Sequence, residues 1–230
     1  MLLALVIPAP DYTIYNQNGP ATFDVTCDSR QINFPTQTIG SLQVTRRMFV
    51  PSNDSFARWL NIFTNTGGTP QTLTAVTSNN LGSDDGTKIV SSSDGDTTAS
   101  ITDTWVSTFQ NYGYEPPPTT SSDPRLGHVL QGPGARVGLA NIYFADGDGF
   151  PYWAYTFTLK PGETKIIMNF ATGQPTKAAA NAKAAELVKL PQKALQCMSP
   201  KEKSQVVNFK NHSMLWQMIP SALGNKSSSL

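Results

Sequence analysis

A chain of 230 residues can bury a substantial core as one large β domain, or as a domain with an appendage. Only 14% of it is charged, against roughly a quarter in ordinary globular chains, while Thr, Ser, Asn and Gln are plentiful, the composition of extracellular β-proteins. The net charge of +1 conceals a split: residues 1–159 hold 7 Lys+Arg against 13 Asp+Glu, and residues 160–230 hold 10 lysines against 3 glutamates. Those lysines stand singly, without arginine or interleaved aromatics, which excludes nucleic acid as a partner and predicts a solvated helix face lying on the acidic part.

The opening MLLALVI, broken by Pro8, lacks the basic start and the length of a complete signal peptide. It reads as a trimmed signal, an expression remnant or a first strand. No stretch approaches the ~20 apolar residues of a membrane helix. Residues 12–15, 21–27 and 31–34 are short β-prone pieces between turn formers. Residues 40–66 are the stretch around which the other strands are organised. Leu42, Val44, Met48 and Val50 alternate on one face with Arg46 in phase. Beyond Pro51-Ser52-Asn53-Asp54-Ser55, a second run puts Phe56, Arg58, Leu60 and Ile62 on one face and Trp59 and Phe63 on the other. A strand apolar on both sides predicts a central position covered from both directions. Pairing Val50 with Phe56 makes Arg46 and Arg58 near neighbours on an apolar face. There each guanidinium must snorkel or meet a carboxylate such as Asp103.

Thr66-Gly67-Gly68-Thr69-Pro70 leads into residues 71–78, and strand, tight turn, strand reads as an antiparallel meander. Strands are predicted at 87–91 and 98–109, the latter containing Asp103 and Trp105. Residues 111–126 (NYGYEPPPTTSSDPRL) are too polar and proline-rich for regular structure. Further strands are predicted at 127–131, 135–144, 152–159 and 163–170, the last two joined by Lys160-Pro161-Gly162.

At Phe170 the period changes. PTKAAANAKAAELVKL has the composition of an exposed helix, a helical turn comes next at 192–196, and Ser199-Pro200 offers an N-cap with proline at the first helical position. Strands followed by helices predict a mainly β protein. The expected fold is a large antiparallel β-sandwich of about ten or eleven strands over 1–171, with a short helical C-terminal appendage at 172–209 and an extended tail at 210–230. Leu187, Val188 and Leu190 must dock, because so short a helix is marginal alone, and an open sheet edge is the expected place. Leu215, Trp216 and Ile219 are left for self-association through the tail.

Five phrases, LQVTRRMFVP, FARWLNIFTNTGGTPQTLT, NLGSDDGT, SDPRLGHVLQG and SPKEKSQVVNF, together resemble a functionally uncharacterised β-sandwich module of large secreted or surface proteins of bacteria. The first two also resemble the wide β-sandwich that accompanies some glycoside hydrolase catalytic domains. The resemblance spans residues 30–209 and rests on hairpin edges, turns and a capped helix. It implies a secreted or cell-surface, non-catalytic module with a binding or structural role in an extracellular assembly, meeting polysaccharide or other surface proteins. The glycoside hydrolase likeness implies the alternative, a carbohydrate-active enzyme or its accessory carbohydrate-binding domain.

Candidate site residues are few. Asp103 beside Trp105 is the one carboxylate–aromatic pairing on a predicted strand that suits a sugar cleft, and Tyr112, Tyr114, His128 and Trp153 complete the set. Paired carboxylates for glycoside cleavage stand about 5–10 Å apart, whereas Glu163, Glu186 and Glu202 fall in a turn and on helices and Glu115 in the long loop. His128 lies near Asp123 and a row of hydroxyls, but without a GxSxG elbow a structural histidine is expected. Trp153 and Tyr155 share a strand face that serves a core as well as a stacking platform with Tyr143 and Tyr152. Asp84, Asp85, Asp146 and Asp148 occupy Asp-Gly turns that could hold calcium, the one cofactor considered, although turn chemistry alone accounts for them. Cys27 and Cys197 read either as one disulfide closing a long loop or as two reduced thiols.

Overall fold

The structure is a computed structural model and describes residues 2–6, 12–16, 23–110 and 125–210. In chain order these form β1 (Leu2–Val6), β2 (Tyr12–Ile14), β3 (Asp24–Thr26), β4 (Gln31–Asn33), β5 (Gln37–Ile39), β6 (Leu42–Phe49), β7 (Ala57–Asn65) and β8 (Gln71–Ser78). The remaining elements are β9 (Thr87–Ser92), β10 (Trp105–Gln110), β11 (Arg125–Val129), β12 (Asn141–Ala145), β13 (Asp148–Leu159), β14 (Thr164–Gln174), α1 (Lys177–Val188) and α2 (Pro200–Gln205). The strands make two antiparallel sheets. One has the order β12-β13-β8-β1-β2; the other runs β3-β4-β6-β7-β14-β11-β10-β9, with β5 also on β6. This is the mainly β sandwich that the alternation predicts. Strands of three residues, such as β3, β4 and β5, raise the number beyond the expected ten or eleven.

Between the sheets lie Leu3, Leu5, Leu73, Trp153, Tyr155 and Phe157 from one side and Leu42, Val44, Phe63, Val106 and Ile167 from the other. A second apolar layer covers the outer face of the larger sheet: Phe49, Leu60, Met168 and Phe170 meet Ala184 and Leu187 of α1, then Ala194, Met198, Val206 and Phe209. Strand β7 therefore sends Phe63 into one core and Leu60 into the other, as its two apolar faces require. Each such side chain, fully buried, contributes about 1.5–3 kcal/mol.

The hairpin register differs from the expected one by a single residue: Phe49 pairs with Arg58, Arg47 with Leu60 and Arg46 with Asn61. Val50 is drawn away to Arg30. Its N–H donates to the Arg30 carbonyl at 3.0 Å, while Arg30 Nε and Nη2 donate to the carbonyls of Val50 and Pro51, each at 2.7 Å. A slip of one residue exchanges the faces, so Arg46 points between the sheets and Arg58 points outward.

The expected meander is also replaced. β7 belongs to the larger sheet and β8 to the smaller, so Gly67-Gly68 is a corner between sheets. The β13–β14 connection crosses back beside it. Buried Asn65 joins the two corners. Its Nδ2 donates to the Thr69 and Leu159 carbonyls, its Oδ1 accepts from Gly67 N–H, and its backbone exchanges hydrogen bonds with Glu163 and Gly162. A Cβ on Gly67 would stand 2.8 Å from Ser41 Cβ, which explains the glycine.

Helix α1 does not cover a sheet edge. It lies on the outer face, against β10, β11 and β14, because that face carries the unpaired apolar residues. After α2 the chain turns inward. Val207 N–H donates to the Ile166 carbonyl, Gly132 N–H to the Asn208 carbonyl, and Val207 reaches the inter-sheet core while Val206 and Phe209 stay in the outer one. No helix among the described residues is long and apolar enough to cross a membrane.

Candidate functional site

The arginines and Asp103 do not meet as the sequence pattern predicts. Arg46 Nε donates to Asn61 Oδ1 at 2.8 Å between the sheets. On the opposite face, Arg58 Nη1 donates to the carbonyls of Ala194 (3.0 Å) and Gln196 (2.7 Å), Nη2 donates to Gln31 Oε1 (3.2 Å), and the guanidinium lies 4.7 Å from the Phe49 ring centroid. Burial lowers both arginines to about 10, which leaves them charged at neutral pH. Asp103 precedes β10 in a turn, where its carboxylate accepts from the N–H and hydroxyl of both Ser93 and Ser100 at 2.8–3.1 Å. The predicted strand at 98–109 is shortened for this reason. Trp105 packs on the outer apolar layer, so Asp103 and Trp105 frame no cleft. Tyr112 and Tyr114 lie outside the described residues.

His128 is buried on β11, with Nε2 3.1 Å from the Thr108 hydroxyl and rings of Phe144 and Trp153 at 5.3 and 6.4 Å. Burial lowers its pKa to about 4. Asp123 and the neighbouring hydroxyls lie outside the described residues. Trp153 and Tyr155 are core residues, whereas Tyr143 and Tyr152 stack at 5.4 Å on the outer face of the smaller sheet.

The acidic turns at 84–86 and 145–149 do come together, since Gly149 approaches Asp84 closely and Gly147 N–H donates to the Thr87 carbonyl. The carboxylates of Asp146 and Asp148 are used internally. Asp146 accepts from Ile89 N–H and Lys88 Nζ, and Asp148 from Phe150 N–H and the Tyr143 hydroxyl. Among the described residues no three His, Cys, Asp or Glu side chains converge on a metal position. Cys27 and Cys197 are disulfide-bonded, tying the β3–β4 turn to the helical segment.

Among the described residues, two concave places stand out. A cavity of about 130 Å³ opens beside Leu81, Gly82, Ser83 and Thr108, large enough for a few waters. The larger place lies on the outer face of the nine-stranded sheet, where helical cover stops. Two hollows of about 670 and 370 Å³ share Arg47. Phe23, Asp24, Asn33, Thr36 and Thr45 line the first, and Ile62, Thr164, Ser199, Glu202 and Gln205 line the second. Alternation along β6 sends Thr45 and Arg47 to this face, where β4 sets Asn33 opposite Arg47 and β7 sets Ile62 opposite Thr45. Arg47 Nη1 donates to Glu202 Oε1. Glu202 is itself fixed at the start of α2 by a capping box with Ser199. Sequence reasoning missed this groove because 155 positions separate Arg47 from Glu202. The one local signal was the capping box, which predicts a helix start and no site.

No family profile matches the chain, and no curated protein matches its sequence. Solved structures resemble it at low identity. A polysaccharide lyase aligns with TM-score 0.47 and 13% identity, over 80% of this chain and 27% of that one. A candidate kojibiose phosphorylase from the human microbiome aligns with TM-score 0.47 and 11% identity, over 84% and 26%. A galactose mutarotase-like protein from Lactobacillus casei aligns with TM-score 0.41 and 11% identity, over 74% and 84%. The chain spans about a quarter of the length of the first two.

Proposed function

We propose that this chain is a non-catalytic binding module, secreted or held at the cell surface, that engages its ligand in the groove around Arg47. The observation that carries this reading is the groove itself: two hollows on one sheet face that share Arg47, an arginine fixed by a capped-helix glutamate. Polar groups held in that way fix the orientation of a ligand without needing to exchange protons. The disulfide suits an oxidising compartment. The alternative, a carbohydrate-active enzyme, has one specific point in its favour, that the carboxyl groups of Asp24 and Glu202 both border the groove.

Affinity electrophoresis of the full chain against soluble polysaccharides, combined with an assay for new reducing ends or unsaturated products, separates the two. Retardation without product is expected, with the retardation lost in Arg47→Met. Product formation abolished by Asp24→Asn or Glu202→Gln would establish an enzyme instead.

A further inference from the structure

From the chemistry of the same groove we infer that its ligand is a neutral oligosaccharide; the inference rests on the proposed binding role. Fixed charges around the groove cancel: Arg47 and Lys201 are matched by Asp24 and Glu202. An ionic ligand would gain attraction from one sign and meet repulsion from the other. The remaining polar lining both donates and accepts. The hydroxyls of Thr36 and Thr45 already share a 2.8 Å hydrogen bond, and Thr164, which lines the second hollow, shares one of 2.8 Å with Thr64, so each pair keeps acceptor capacity. The Asn33 amide uses one donor on Thr26 and one acceptor site on Gln31, which leaves one of each. Arg47 spends a donor on Glu202, and that ion pair fixes the plane of a guanidinium with further N–H groups. A ligand made of vicinal hydroxyls can answer such a surface group by group.

The rim supplies the apolar half of the recognition. Phe23 is 46% exposed, and an aromatic ring offers its negative face to the C–H side of a pyranose. The two hollows lie within the usual 300–1,000 Å³ range of ligand sites and meet at Arg47. A run from Phe23 past Arg47 toward Gln205 suits several sugar units in line.

The test is calorimetric titration of the full chain with neutral tetrasaccharides (gluco-, galacto-, manno- and xylo-configured) and with uronate-containing and sulfated counterparts. Phe23→Ala and Asn33→Ala are titrated alongside, after circular dichroism shows both fold as the parent does. The expected result is binding of at least one neutral tetrasaccharide, weakened about tenfold or more by each substitution. Binding of charged sugars alone, sensitive to both substitutions, would overturn the ligand class while leaving the groove as a binding site. Neutral-sugar binding unaffected by Phe23→Ala and Asn33→Ala but lost in Tyr143→Ala would move the site to the smaller sheet. The groove reading would then fall together with this inference. Binding of no saccharide at all overturns the inference, and the Arg47→Met electrophoresis decides the reading separately.

Discussion

Burial between Phe144 and Trp153 leaves His128 bonded to the Thr108 hydroxyl and holds its pKa near 4, whereas an unfolded histidine titrates near 6.5. The unfolded chain therefore takes up the proton first as pH falls. The stability present above 6.5 should be lost progressively down to 4, by on the order of 3 kcal/mol. Glu163 and Asp146, lowered chiefly by backbone N–H donors of Lys160 and Ile89, lose their contributions in more acid solution. Urea unfolding of the parent and of His128→Gln across pH 4–7 should differ in slope over that window, and parallel curves would refute the assignment. Arg58 makes a different demand. Lysine there keeps the charge but lacks the fork that reaches Ala194, Gln196 and Gln31 together. Arg58→Lys should cost about 2–4 kcal/mol in the same measurement, because buried carbonyls lose their donors.

Helix α1 is seated by small residues rather than by a broad apolar stripe. Its buried positions are Ala180, Ala184 and Leu187, and the sheet meets them with Gly127. A Cβ on Gly127 would stand 3.1 Å from the Ala180 carbonyl oxygen, 3.2 Å from Ala184 Cβ and 2.9 Å from Thr172 Cγ2. Gly127→Ala must push the helix outward and should destabilise the fold by about 1–3 kcal/mol. No loss in the denaturant midpoint would mean that the helix is seated less closely. Helix α2 depends on its cap. Ser199→Ala removes the hydroxyl that accepts from Glu202 N–H and donates to its carboxylate, for a loss of about 1 kcal/mol. It should also loosen Glu202 at the groove, so ligand affinity is expected to fall with stability.

Across the whole molecule, the helical segment behaves as part of the core. The disulfide spans 170 positions and anchors the segment beside the carbonyls that Arg58 holds. Replacing both cysteines by alanine should lower stability by about 2–5 kcal/mol, and thiol labelling of the native parent should find neither cysteine free until a reductant is added. Truncation after Gln174 would uncover Phe49, Leu60, Met168 and Phe170 and remove Val207 from between the sheets. Such a fragment is expected to aggregate through an exposed sheet face. A soluble fragment of parental stability would show that the outer layer is dispensable.

Alternation of period two, the shift to a helical composition after Phe170 and the capping signal at Ser199 were enough to determine a β-sandwich followed by helices, and a β7 apolar on both faces. They are local properties, written within a few residues of where they act. The exchange of faces between Arg46 and Arg58 was not local, because Arg30 captures Val50 from 20 positions away and moves the register by one. Nor was the sheet change at Gly67-Gly68, which looks like a hairpin turn until Asn65 is found bonded to Leu159 and Glu163. Asp103 was legible as a carboxylate beside Trp105 on a predicted strand, yet only the folded chain showed two serines filling its carboxylate. The groove belongs wholly to the tertiary structure, since Arg47 and Glu202 acquire a shared site only when α2 is laid across the sheet. A sequence records which side chains can be buried; long-range pairing decides which of them face one another.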